Sequence, residues 1–101
     1  MTNDINYILI KFKDFVKNSL SKDSKIILFG SYAKGNYKDW SDIDVAVILP
    51  VVKDRLKMEI DLRVSAFSID ERINPFIFSE KELQQNSPLI WEIKKFGKKI
   101  S

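Results

Sequence analysis

Between Lys25 and Leu49 the chain runs apolar, then polar, then apolar again. Gly30-Ser31 closes the first run, and Asp42-Ile43-Asp44 opens the second. Ten residues separate Ser31 from Asp42. A strand turns alternate side chains to opposite faces, so Asp42 and Asp44 are expected on one side, roughly 6 to 7 Å apart along the backbone. Two carboxylates held that close repel each other unless a cation lies between them. An acid inside an otherwise apolar strand also needs a partner, and bound metal is the simplest candidate for Asp44.

Hard divalent cations such as Mg²⁺ take carboxylate oxygens, using one or two protein ligands while substrate phosphates complete the shell. Two such metals about 3.5 to 4 Å apart can stabilise both the attacking and the leaving oxygen of a phosphoryl transfer. Gly30-Ser31 supplies the complementary half. It follows the run Lys25 to Phe29 and precedes Tyr32 to Lys34, a stretch that can open a helix, so its N–H groups and the Ser31 hydroxyl can receive phosphate oxygens. Lys34 is a further candidate phosphate contact. A Walker-type loop does not fit, because Gly35 is followed by Asn36-Tyr37 and not by Lys-Ser or Lys-Thr.

The rest of the chain reads as scaffold. Ile5, Ile8, Leu9, Phe12, Phe15, Val16 and Leu20 recur at three- and four-residue intervals and predict an amphipathic helix over residues 4–20, with Thr2 or Asn3 as N-cap. Lys25 to Phe29 reads as a buried strand and Ile43 to Leu49 as a second, stopped by Pro50. Val52, Leu56, Ile60, Val64 and Phe67 fit the apolar face of a scaffold helix. Arg72 to Phe78 is the third strand, and Ser79-Glu-Lys-Glu82 has the form of a capping box opening a short helix. Ser87-Pro88 starts a last helix faced by Leu89, Ile90, Ile93 and Phe96, with Gly97 as C-cap. Three short strands among helices predict an α/β (α+β) domain with a small mixed sheet of about three strands flanked by helices, occupying residues 1–101 as a single domain.

Composition narrows the chemistry. The 101 residues contain no cysteine and no histidine, which removes disulfides, thiol nucleophiles, His-based zinc sites and imidazole bases. Carboxylates, lysines and hydroxyls remain. No apolar stretch approaches the roughly 20 residues of a membrane span, and the N-terminus lacks the order of a signal peptide, so a cytoplasmic location is expected. The net charge of +3 gathers at Lys94, Lys95, Lys98 and Lys99, read as a solvated terminus or a patch that meets an acidic partner or nucleic acid.

The string G-S-x10-D-x-D, here Gly30, Ser31, Asp42 and Asp44, resembles the signature of the polymerase-beta-like nucleotidyltransferase superfamily. The small size, G-S-Y-A-K-G ending at Gly35, and W-S-D-I-D-V-A-V-I with Ser41 before the first acid resemble its minimal nucleotidyltransferase (MNT) branch, the antitoxin partners of HEPN-domain toxins. The resemblance implies a nucleotidyltransferase fold with Mg²⁺ on Asp42 and Asp44 and with ATP, or another nucleoside triphosphate, held at Gly30, Ser31 and Lys34. It implies transfer of AMP to a hydroxyl, a tyrosine of a HEPN toxin; with no apolar span a membrane partner is not expected, and a nucleic-acid partner is not favoured. The absence of histidine sets this chain apart from the toxin itself, whose family motif is an arginine followed shortly by histidine.

One position departs from that pattern. The superfamily places a third carboxylate on the next strand, just before a proline in the minimal branch, and here Asn74 precedes Pro75. An amide offers one oxygen to a metal but no charge and no basicity. Asp42, Asp44 and Asn74 are thus the candidate catalytic set, with Asp70 or Glu71 as possible substitutes for the missing acid. A domain that neutralises its partner by binding alone, with a weak or inactive nucleotide site, is the alternative. A stand-alone transferase acting on a small molecule or RNA is a third reading, and a homo- or hetero-oligomer is left open.

Overall fold

The computed structural model describes residues 5–101. The Thr2 and Asn3 caps expected for the first helix lie outside the described residues. Helix α1 spans Ile5–Ser19 and strand β1 spans Lys25–Phe29, followed at once by a one-turn helix α2, Gly30–Lys34. Strand β2 is Ile43–Leu49, helix α3 Arg55–Ile69, strand β3 Ile73–Ser79, helix α4 Pro88–Phe96 and strand β4 Lys98–Lys99.

The sheet order is β3-β2-β1-β4, with β1 antiparallel to β2 and β4 and β2 parallel to β3. It is therefore a mixed sheet flanked by helices, with four strands where about three were expected. The added strand is short and charged. Around it, Ile100 N donates to Ile26 O at 2.8 Å and Ile26 N to Ser101 O at 3.0 Å, so the chain end closes one side of the sheet through backbone bonds.

Strand parity divides the core. Ile43, Val45, Val47 and Leu49 face α1 and α3, where Leu9, Phe12, Val16, Leu62 and Ala66 complete the larger cluster. Ala46 and Ile48 turn the other way, to Phe29 and Ile93 of α4. Asp44 belongs to this second set by alternation, so its carboxylate lies on the face that α4 covers.

The α3 expectation needs correction. The helix starts at Arg55, and Val52 ahead of it packs against the core. The buried residues are Leu62 and Ala66, while Leu56, Ile60, Val64 and Phe67, the expected inner face, are exposed. Two apolar stripes share this helix, and periodicity alone favoured the wrong one. The capping box is present: Ser79 N donates to Glu82 Oε1 at 2.7 Å and Glu82 N to Ser79 Oγ at 3.1 Å. It opens only a single 3-10 turn, Glu82–Gln84. Ser87 caps α4 by accepting from Ile90 N at 3.1 Å, with Pro88 in the first turn.

Candidate active site

The site is built where the end of β1 meets the beginnings of β2 and β3. Register sets Phe29 opposite Asp44, and Asp44 beside Asn74 on the parallel neighbour. Gly30 leaves β1 with φ +72, and a Cβ there would stand 2.3 Å from Asp44 Oδ2, 3.1 Å from its Cγ and 3.2 Å from its Cβ. Only glycine allows both the left-handed turn and this approach. The Gly-Ser element and the half-buried acid of the D-x-D pair are thus brought into contact. Ser31 lies in the first turn of α2, whose N-cap, Phe29, has no side chain that can accept from the first N–H groups, so these can donate to an anion.

Asp42 stands just before β2 and is exposed, whereas Asp44 is half-buried. Burial raises the Asp44 pKa above its ordinary value. The hydrogen bond from Asn74 opposes that shift, and the charges of Asp42 and Glu92 add to it. Two of the three effects that raise it are carboxylate repulsions, which a bound cation would relieve. Among the described residues no group of three or more acids is placed to hold a metal. Asp42 and Asp44 form a two-carboxylate, all-oxygen set, which fits a divalent ion of the Mg²⁺ type completed by phosphate.

Asn74 faces Asp44 as a donor. Its Nδ2 donates to Asp44 Oδ1 at 3.1 Å, while its Oδ1 accepts from Arg63 Nη1 at 3.2 Å. Because a guanidinium can only donate, the amide oxygen must turn to Arg63, and the NH2 group is left for Asp44. Asp70 and Glu71 do not replace the missing acid. Asp70 Oδ1 and Oδ2 each accept from the Arg72 guanidinium at 3.0 Å, which holds its carboxyl below the ordinary range, and Glu71 is exposed. Arg72 Nη1 also donates to Tyr32 Oη at 3.1 Å, and the Tyr32 ring stacks on Tyr37 at 4.2 Å. Tyr37 therefore packs one ring face on Tyr32 while remaining exposed, as Trp40 is.

Lys34 is turned to α4: its Nζ pairs with Glu92 Oε1 at 3.5 Å and lies 5.1 Å from the Phe96 ring centre. Two residues near the site were not found from sequence. Glu92 and Arg63 come from α4 and α3, and neither stands in a local pattern that marks it. Only the sheet register and the two crossing helices bring them to Asp44 and Asn74.

An open sheet with a Gly-Ser turn packed on the first strand pair and a D-x-D acid beside it defines a nucleotidyltransferase-type site. The nucleotidyltransferase domain model matches residues 9–101, and the chain belongs to that family. It is 35% identical over 82 residues to MJ0141 of Methanocaldococcus jannaschii, a protein named as a protein adenylyltransferase, covering 76% of this chain and 82% of that one. Its fold is similar to a toxin-antitoxin structure determined with AMP-PNP, at TM-score 0.67 and 25% identity over 93% of this chain and 70% of that one. A mutant of the MntA-HpeT toxin-antitoxin matches at TM-score 0.66 and 21% identity over the same shares, a likeness of fold alone.

Proposed function

We propose that this single domain is a cytoplasmic antitoxin that transfers AMP from ATP to a tyrosine hydroxyl of a partner HEPN toxin. The carrying observation is the packing of Gly30 on Asp44, which joins the phosphate-binding turn to the acid pair. The relative named as an adenylyltransferase and the toxin-antitoxin neighbours support the nucleotide and the partner.

In this reading Ser31 and the first N–H groups of α2 hold the β- and γ-phosphates, and Asp42 and Asp44 hold Mg²⁺. When bound, Mg²⁺ supplies charge neutralisation on the phosphates. Asn74 fixes Asp44 Oδ1, and Arg63 fixes Asn74. The toxin oxygen forms its bond to the α-phosphorus as the bond to pyrophosphate breaks, and the hydroxyl proton passes to water, because Asn74 cannot take it. Positioning and electrostatics carry the rate.

A second reading is favoured by Asn74: with an amide donor where the superfamily has a carboxylate, the domain neutralises its toxin by binding alone. Incubating the purified toxin with ATP labelled on either the α- or the γ-phosphate separates the two. Adenylyl transfer predicts α-label on the toxin, no γ-label, and loss of labelling in Asp42→Ala/Asp44→Ala. Stable complex formation without label would support the binding-only reading.

A further inference from the structure

The net charge of +3 understates one face of the molecule. Residues 88–101 hold Lys94, Lys95, Lys98 and Lys99 against a single acid, Glu92, and Glu92 is already paired with Lys34. Among the described residues none of these four lysines has a carboxylate partner.

Sheet and helix gather part of this charge in one place. Strand β4 sets Lys99 opposite Ile27, and Ile27 packs toward α4. By alternation Lys25 shares that face as the diagonal neighbour of Lys99, about 7–8 Å away. Lys94 reaches the same place from α4. The three surround a hollow of about 250 Å³ lined otherwise by Ile27, Ile93 and Gly97, with no acid among them. Asp23, two residues before Lys25, forms no ion pair with it, and Lys98, opposite Leu28, turns to the other face. Like charges converging over an apolar floor focus a positive potential, which draws an anion.

An aromatic step adjoins this hollow. Lys94 also borders a second one, of about 460 Å³, shared with Gln85, Asn86, Pro88, Ile90 and Trp91. Trp91 is 58% exposed, Phe96 meets it edge-on at 6.0 Å, and Lys95 lies 5.1 Å from its ring centre. An acidic peptide would use the lysines and leave the indole idle. A single strand uses both, since its bases stack on aromatic rings, side-chain amides bond base edges, and lysines take the adjoining phosphates. A nucleic-acid partner, not favoured from the sequence, gains its case from this juxtaposition, because only the pairing of β1 with β4 brings Lys25 to Lys99.

We propose that the face formed by α4, β4 and the start of β1 binds single-stranded nucleic acid. A base stacks on Trp91, and the neighbouring phosphate enters the hollow among Lys25, Lys94 and Lys99. The face is separate from the acid pair: Asp44 stands opposite Phe29 at the far end of β1, about 13 Å along the strand from Lys25.

The test follows the fluorescence anisotropy of a labelled oligouridylate of about twelve residues and of its deoxythymidylate counterpart. EDTA is present, so that no divalent ion bridges a strand to Asp42 and Asp44. Wild type is expected to bind at least one strand, and the preferred sugar names RNA or DNA as the source. Lys94→Gln and Lys99→Gln should each lower the slope of log affinity against log salt by about 0.7. Trp91→Ala should weaken binding about fivefold or more. Lys11→Gln, on α1 across the sheet, should bind as wild type. All four side chains are exposed, so the thermal midpoint should hold in every variant. Absence of binding to both strands at low salt, or affinities unchanged in Trp91→Ala and Lys94→Gln, overturns the proposal. So does an oligoglutamate peptide that wild type binds more tightly than either strand, the mark of an acidic protein partner. Failure here leaves the proposed AMP transfer standing, because none of these residues belongs to its site.

Discussion

Replacing Gly30 with alanine should damage fold and site together, and Gly35 provides the internal control. Both glycines have positive φ, +72 and +84, so alanine at either one incurs the left-handed backbone cost of about 1–2 kcal/mol. At Gly35 an added Cβ meets nothing within 4 Å, so that cost is the whole effect. At Gly30 it meets Asp44 Oδ2 at 2.3 Å, with Cγ at 3.1 Å and Cβ at 3.2 Å. Rotating the carboxylate moves Oδ2 but leaves Cγ and Cβ tight, so the side chain must also give by a few tenths of an ångström, and its 3.1 Å hydrogen bond from Asn74 is expected to break. A hydrogen bond to a charged group contributes about 1.5–3 kcal/mol, so Gly30→Ala should cost roughly 2.5–5 kcal/mol in all. For a chain this size each kcal/mol lowers the midpoint by about 4–8 °C. Thermal unfolding of the two variants beside wild type, with nucleotide binding measured below the transition, reads both effects. Equal midpoints for Gly30→Ala and Gly35→Ala, with nucleotide affinity kept in both, would refute the contact between the turn and Asp44.

Three further outcomes follow from the same geometry. Because burial and like charge raise the Asp44 pKa in the folded state, the native chain binds that proton more tightly than the unfolded one. The associated stability is present below the ordinary Asp range and is lost as pH rises through the raised value. Asp44→Asn should therefore raise the midpoint at neutral pH and flatten its pH dependence, while abolishing any Mg²⁺-induced shift; a lower midpoint would contradict this. Asn74→Asp keeps a partner for Arg63 but sets a second carboxylate beside Asp44. Its midpoint should fall without Mg²⁺ and recover with it, and AMP transfer should rise by up to about 10²-fold if a base at this position limits the rate. Ser79→Ala removes the hydroxyl that accepts from Glu82 N and should cost about 1 kcal/mol in urea unfolding without affecting nucleotide binding.

The inner strands and the turn between them were legible because each signal is local. Mostly apolar segments of five and seven residues, stopped by Gly30 and Pro50, leave little choice of structure, and alternation set Asp44 on a defined face. Asn74 was legible as a departure, since Pro75 marks its place. Its role as a donor was not, because that depends on Arg63 eleven residues earlier crossing from another helix. Strand β4 escaped because two lysines carry no alternation, and its pairing runs through the backbone of residues 98–101. Helix α3 misled because periodicity reports that a stripe exists without saying which stripe faces the core. Leu62 and Ala66 form the shorter pattern but are the ones the sheet buries.

The most direct test is the intact mass of the purified toxin after incubation with this protein, ATP and Mg²⁺. The expected result is a gain of one or more AMP units, mapped to tyrosine, with none when Asp42 and Asp44 are both alanine. A toxin that is neutralised at unchanged mass by wild type and by the double variant alike would contradict it.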